Sequence, residues 1–108
     1  MDWITLDDED QLNHITALSH EQPQVIFKHS TRCSISSMAK NRIDKEDAPA
    51  NTHFYYLDLL RHRPISNAIA RLFDVEHASP QVLLIKSGKC VYHQSHSGIN
   101  MPELEENF

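Results

Sequence analysis

The chain carries two cysteines, and one of them stands where a thiol could be used. Cys33 lies within Phe27-Lys28-His29-Ser30-Thr31-Arg32-Cys33-Ser34-Ile35-Ser36, after a β-branched and aromatic run and at the opening of a helical pattern. Unpaired N–H groups at a helix N-terminus, together with the nearby Arg32 cation, favour a thiolate there. The thiolate is the nucleophile of thiol–disulfide exchange. A cysteine at a strand-to-helix turn can equally be a small residue of the capping region, and placement alone leaves both readings open. Ser36 completes Cys33-x-x-Ser36, so a serine stands where a dithiol oxidoreductase has its second cysteine. No local disulfide can close, and a mixed disulfide with an outside thiol is the intermediate such a site would form. The Ser36 hydroxyl can also serve backbone groups in the first helical turn.

Cys90 is poorly placed to resolve Cys33. It follows the turn Ser87-Gly88, at the far end of a strand that begins near Pro80. Five strand residues span about 16 Å, against the roughly 7 Å a disulfide tolerates between Cα atoms. Two scattered cysteines make neither a zinc ribbon nor a secreted disulfide scaffold. Among the eight histidines, His29, His77, His93 and His96 invite a metal reading. Their spacing matches no defined zinc pattern, so no metal is expected and they read as polar surface or supporting groups. Arg61-His62-Arg63, the basic cluster, reads as a solvated loop that could hold a carboxylate of a small thiol.

The elements that must position these residues fit into one domain spanning residues 1–108, since 108 residues supply one core and no more. A net charge of −5 gives no attraction to phosphate backbones or anionic lipid, so neither nucleic acid nor membrane is an expected partner. Asp7-Asp8-Glu9-Asp10 stands where a secretory signal would be basic and then apolar, and the longest apolar run is Val82-Leu83-Leu84-Ile85. A cytoplasmic protein is expected.

Trp3 to Leu6 reads as a short strand, followed by a helix with Leu12, Ile15 and Leu18 in register, Thr5-x-x-Asp8 as its capping box and acids in its first turn. Gln24 to Lys28 reads as a buried strand. From Cys33 onward Ile35, Met38, Ala39, Arg42 and Ile43 form one helical face, with Pro49 as an upper limit. Thr52 to Leu59 is the next strand. Pro64 opens a helix with Ile65, Ala68, Ile69, Leu72 and Phe73 as a core-facing stripe. Gln81–Lys86 and Lys89–Gln94 form a hairpin through Ser87-Gly88, and Asn100 caps a short last helix with Glu103.

The order β-α-β-α-β-α-β-β-α predicts an α/β fold with a mixed five-stranded sheet and helices on both faces, since helix-separated strands favour parallel pairing and the hairpin is antiparallel. It is the order of the thioredoxin fold. The Phe27–Ser36 stretch, with Ser79-Pro80-Gln81-Val82-Leu83-Leu84 and Tyr92-His93-Gln94-Ser95-His96, resembles the YtxJ-type monothiol bacilliredoxins from about Trp3 to Ile99. The resemblance implies a thioredoxin-like fold and one redox cysteine, Cys33, in a motif of Thr-Cys-Pro-Ile-Ser type. It also implies bacillithiol, a low-molecular-weight thiol, as co-substrate with no bound cofactor. Here Arg32 precedes the cysteine and Ser34 replaces the frequent proline. Thr31, Arg32, Ser34, Ser36, Ser79 and Pro80 then bind the substrate or tune the thiolate, with His29 and His96 behind them. The resemblance further implies a cis peptide before Pro80, exposing the Ser79 backbone to a substrate. The expected activity is removal of a small thiol from thiolated client proteins. The alternatives from another class are a non-catalytic thioredoxin-like binding module and an iron–sulfur cluster carrier.

Overall fold

A computed structural model describes residues 1–108. Five strands, β1 (Trp3–Thr5), β2 (Gln24–His29), β3 (His53–Asp58), β4 (Gln81–Lys86) and β5 (Lys89–Ser95), form one sheet in the order β1-β3-β2-β4-β5. Four helices, α1 (Gln11–Leu18), α2 (Ser34–Asp44), α3 (Arg63–Phe73) and α4 (Met101–Glu105), cover it, with a single 3-10 turn at His96–Gly98. β1, β3 and β2 run parallel, while β4 is antiparallel to both β2 and β5. Although a helix separates β3 from β4, the two strands are not neighbours. The connection through α3 instead carries the chain across β2, and β4 enters in the opposite sense.

β2 is the middle strand and all six of its residues are buried. Alternation along it sends Val25 and Phe27 into a core with Ala39, Ile43, Ile99, Met101 and Leu104, on the α2/α4 side. It sends Ile26 into the other core, with Leu12, Ile15, Ile65, Ile69 and Phe73, on the α1/α3 side. The consequence for the site is that Lys28 and His29, adjacent in sequence, are both buried on opposite faces of the sheet.

Turn chemistry confirms two expectations. Ser87 and Gly88 both have positive φ, 54° and 77°, as a two-residue hairpin turn of the type I′ class requires. Asn100 Oδ1 accepts the Glu103 N–H at 2.9 Å and starts α4.

Three expectations are corrected. The Thr5-x-x-Asp8 capping box does not form: Thr5 belongs to β1, the N-cap is Asp10, and no acid lies in the first turn of α1. Gln11 replaces the box, its Oε1 accepting the N–H groups of Asp7 and Asp8 at 2.9 Å each while its Nε2 donates to the Thr5 carbonyl. The α2 stripe is displaced: Ser36, Ala39 and Ile43 face the core, whereas Ile35 and Met38 are 49% and 61% exposed. The bonds of Ser36 to the end of β2 set that rotation, described below. On α3 the stripe holds except at Leu72, which is 51% exposed at the edge of the buried face.

Candidate functional site

Cys33 is the N-cap of α2, with extended backbone dihedrals and no hydrogen bond from its own side chain to the helix. Its N–H donates to the Ser30 carbonyl at 3.2 Å and its carbonyl accepts the Ser37 N–H at 3.0 Å. Both bonds fix the turn that joins β2 to α2. The thiol is half-buried and free, while Thr31, Arg32 and Ser34 around it are exposed.

Ser36 is 0% exposed. Its Oγ accepts the Ser30 N–H at 3.0 Å and lies 2.6 Å from Nδ1 of His29. These partners lie at the end of β2 and in the turn, not in the first turn of α2 as the sequence suggested. They tie the helix to the strand across the Cys33 turn. His29 packs against the rings of Phe27 and Tyr56. Burial first, and then the Lys40 ammonium, hold its imidazole below the usual histidine range, against the opposing pull of Asp58 and Asp44. The ring is therefore neutral near pH 7, and it shares one hydrogen bond with the Ser36 hydroxyl through Nδ1. His29 thus reaches the Cys33 turn through Ser36.

The Ser79–Pro80 peptide is cis. Lys28 pairs with Gln81 in the β2/β4 ladder, and extending that register by two residues sets Ser79 across from Ser30, the residue that receives the Cys33 N–H. The Ser79 N–H and carbonyl take no main-chain bond, and its buried Oγ has no partner. Pro80 is held by its own carbonyl, which accepts the His96 N–H at 3.1 Å. His96 has φ 55°, a left-handed conformation uncommon for a residue with a Cβ. Its carbonyl and that of Ile99 accept hydrogen bonds from Arg42 of α2. The structure thus brings Cys33, Ser36 and His29 together, and sets the Ser79–Pro80 edge opposite their turn with His96 beside it.

Cys90 is elsewhere. It pairs with Ile85 in β5, packs on the α1/α3 core, and its Sγ donates to the Tyr92 carbonyl at 3.3 Å. Burial pushes its thiol up. Gln81, opposite Lys28, pairs with Ser95, so Cys90 is several ladder positions from the Cys33 end of the sheet. No three His, Cys, Asp or Glu side chains come together as a metal site, His77, His93 and His96 included. Arg61 and Arg63 are exposed in the turn after β3 and at the start of α3.

One group escaped the sequence reading. The Lys28 side chain is fully buried on the α3 face, where Nζ donates to the Ser66 carbonyl at 3.2 Å and faces His77 Nδ1 at 3.4 Å. A signal was present: a lysine between Phe27 and His29 on the central strand has no solvent-facing side to point to. The main surface groove lies away from the thiol, between α1 and α3, lined by Glu9, Asp10, Leu12, Ala68, Arg71 and Leu72. No helix is long and apolar enough to cross a membrane.

Comparison with known proteins agrees with this geometry. A solved structure whose description assigns a thioredoxin fold and proposes an oxidoreductase superposes with a TM-score of 0.83 at 29% identity, covering 96% of this chain and 91% of the other. Thioredoxin from Malassezia sympodialis superposes at 0.76 with 19% identity, covering 97% and 86%. Thioredoxin from Fasciola hepatica does so at 0.70 with 20% identity, covering 94% and 92%. These two share the fold. The sequence profile of the family described as monothiol bacilliredoxin BrxC matches residues 4–104. Fold and family together make this a thiol redox protein, and the chain belongs to the monothiol bacilliredoxin family.

Proposed function

We propose that this protein removes bacillithiol from mixed disulfides on client proteins in the cytoplasm, using Cys33 as the nucleophile. The observation that carries the reading is the contrast between the two positions of Cys33-x-x-Ser36. The first is a half-buried free thiol at a helix N-terminus, and the second is a sealed hydroxyl already committed to His29 and Ser30. Such a site can accept a thiol but cannot expel it from within.

The Cys33 thiolate attacks the bacillithiol sulfur of the client's mixed disulfide. A Cys33–bacillithiol disulfide forms, the client–bacillithiol bond breaks, and the client departs as a thiolate that takes a proton from water. A second bacillithiol, as thiolate, then attacks the sulfur of the bound bacillithiol. Bacillithiol disulfide leaves and the Cys33 thiolate is restored. The helix N-terminus faces the thiol in both the first and last states, and Arg32 precedes it in the chain. Thr31 and Ser34 flank the thiol in the chain and are exposed, while Ser79, before Pro80, offers its unpaired backbone N–H and carbonyl to the client chain.

The test is mass spectrometry of a client protein carrying bacillithiol. Wild type and Cys90→Ser should strip the adduct and acquire its mass on Cys33, and Cys33→Ser should do neither. Equal stripping by wild type and Cys33→Ser overturns the reading in favour of a non-catalytic binding module. Stripping of glutathione adducts alone keeps the mechanism and overturns the substrate. Iron and colour in the purified protein, lost with Cys33→Ser, would replace it with a cluster carrier.

A further inference from the structure

The segment just before Pro80 is not held by the sheet. It is held by side chains on the face of the sheet away from His29. Lys28 Nζ reaches Ser66 of α3 and His77 of the segment, Ser66 Oγ lies 3.3 Å from the same His77 Nδ1, and Gln81 Nε2 donates to the Glu76 carbonyl at 3.0 Å. Lys28 and Gln81 are cross-strand partners on this face. The Lys28 ammonium has no carboxylate partner, the chain's one ion pair being Lys40–Asp44. It has three hydrogens to give and two acceptors, while Gln81 keeps a buried Oε1 with no partner beside it. The segment is therefore pinned at few points, and Lys28 supplies the one that crosses from β2.

We propose that Lys28 is a positioning residue for the exchange reaction, clamping His77 so that the Ser79 edge stands at a fixed height opposite the Cys33 turn. The inference rests on the thiol-transfer reading for its kinetic consequence, but its structural consequence stands alone. Lys28 does not touch the client. It acts through His77, two residues before Ser79, and the clamp works while Nδ1 of His77 is free to accept.

Protonation of His77 replaces that acceptor with a second cation. The charged groups facing the ring are Lys28 from β2 and Arg63 from α3, and no carboxylate of the packed elements bonds to it. Burial first, then these two cations, hold the imidazole below the usual histidine range. The clamp is thus closed near neutral pH and opens when the ring takes up a proton, below the ordinary imidazole range.

The experiment compares wild type with Lys28→Met, His77→Leu and His77→Asn, the last placing a side-chain acceptor that cannot be protonated near the position of Nδ1. Two readouts are taken: hydrogen-exchange protection factors over residues 76–81, and KM and kcat for a client carrying bacillithiol. Lys28→Met and His77→Leu should lose protection over this segment. They should raise KM roughly ten-fold, the scale of one lost hydrogen bond, with kcat nearly unchanged. His77→Asn should behave as wild type near neutral pH and keep its protection as acidification protonates the His77 ring, where wild type loses it. Wild-type protection and KM in Lys28→Met overturn the proposal, as does a kcat loss with KM unchanged. If no variant, wild type included, transfers the thiol, the functional reading fails while the exchange data still decide whether Lys28 clamps the segment.

Discussion

Lys28 and His29 are neighbours in sequence, both buried, and solve the same problem in opposite ways. On the α2 side His29 is neutral, stacked among aromatic rings, and joined to Ser36 by a 2.6 Å contact that also satisfies the Ser30 N–H. Every partner there is short-range and committed. On the α3 side Lys28 is an ammonium held by a carbonyl at 3.2 Å and a ring nitrogen at 3.4 Å, next to an unpaired Gln81 oxygen. A buried charge without a carboxylate is costly, and burial brings Lys28 down to about 8. The first network fixes the turn that carries the thiol. The second holds the opposing edge too, but at fewer points and over longer contacts.

Removing the hydroxyl of the first network should have the larger effect. Ser36→Ala strands His29 Nδ1 and the Ser30 N–H in a dry interior, and each stranded group costs about 1–3 kcal/mol. Urea denaturation at neutral pH should show a loss of about 2–4 kcal/mol, together with faster alkylation-independent exchange of the Ser30 amide. A loss below about 0.5 kcal/mol, the level of an ordinary surface change, would mean that the pair is not what ties α2 to β2.

Lys28→Met should do the reverse, because it removes a poorly compensated charge and keeps the apolar stem. The sign follows from linkage. The folded protein releases the Lys28 proton near 8, the unfolded chain near 10.4. Below both values the folded state carries the full burial cost, and between them the unfolded state holds the extra proton, so wild type gains stability as pH rises through that window. Lys28→Met should therefore be the more stable protein near pH 7, by up to about 3 kcal/mol, and its advantage should vanish by about pH 10.5. A constant difference across that range would show that Lys28 does not titrate in the folded state as its burial demands.

The two histidines sharpen the contrast at a smaller scale. Both are held below the usual imidazole range, His29 by burial and Lys40, His77 by burial and the cations Lys28 and Arg63. A depressed histidine adds stability that is lost as pH falls below the unfolded value of about 6.5. In Lys28→Met the His77 titration, followed by NMR, should move up towards that value while His29 stays where it was. A matching shift of both rings would mean that the two faces are coupled through the sheet.

Much of this was legible in the sequence. Periodicity placed every strand and helix to within a few residues, because β2, β4 and α3 are buried where their apolar residues say they should be. Cys33 and Ser36 could be picked out from spacing, and the Ser79–Pro80 edge from resemblance. What escaped was decided by tertiary partners. Nothing in the order of residues says that Ser36, a polar side chain, is a core residue, since its burial depends on His29 and Ser30 being in place to receive it. Lys28 is missed for another reason, because a lysine at the end of an apolar run is ordinarily taken to reach water.

The smallest expected effect follows from that first omission. Ala39 and Ile43 were assigned to the core face together with Ile35 and Met38, an apolar set that ignores Ser36; seating Ser36 instead rotates α2 so that Ile35 and Met38 leave the interior. Met38→Lys should then change stability by no more than about 0.5 kcal/mol, since the new ammonium stays in water on a residue already 61% exposed. Ala39→Lys, one position on, would force a charge into the core beside Ile43 and should prevent folding. The pair reads out the helix rotation directly. If Met38→Lys were destabilising by several kcal/mol and Ala39→Lys were tolerated, α2 would sit as its apolar residues alone suggest. The Ser36 hydroxyl would then be in solvent, and the fixed half of the comparison would lose its anchor.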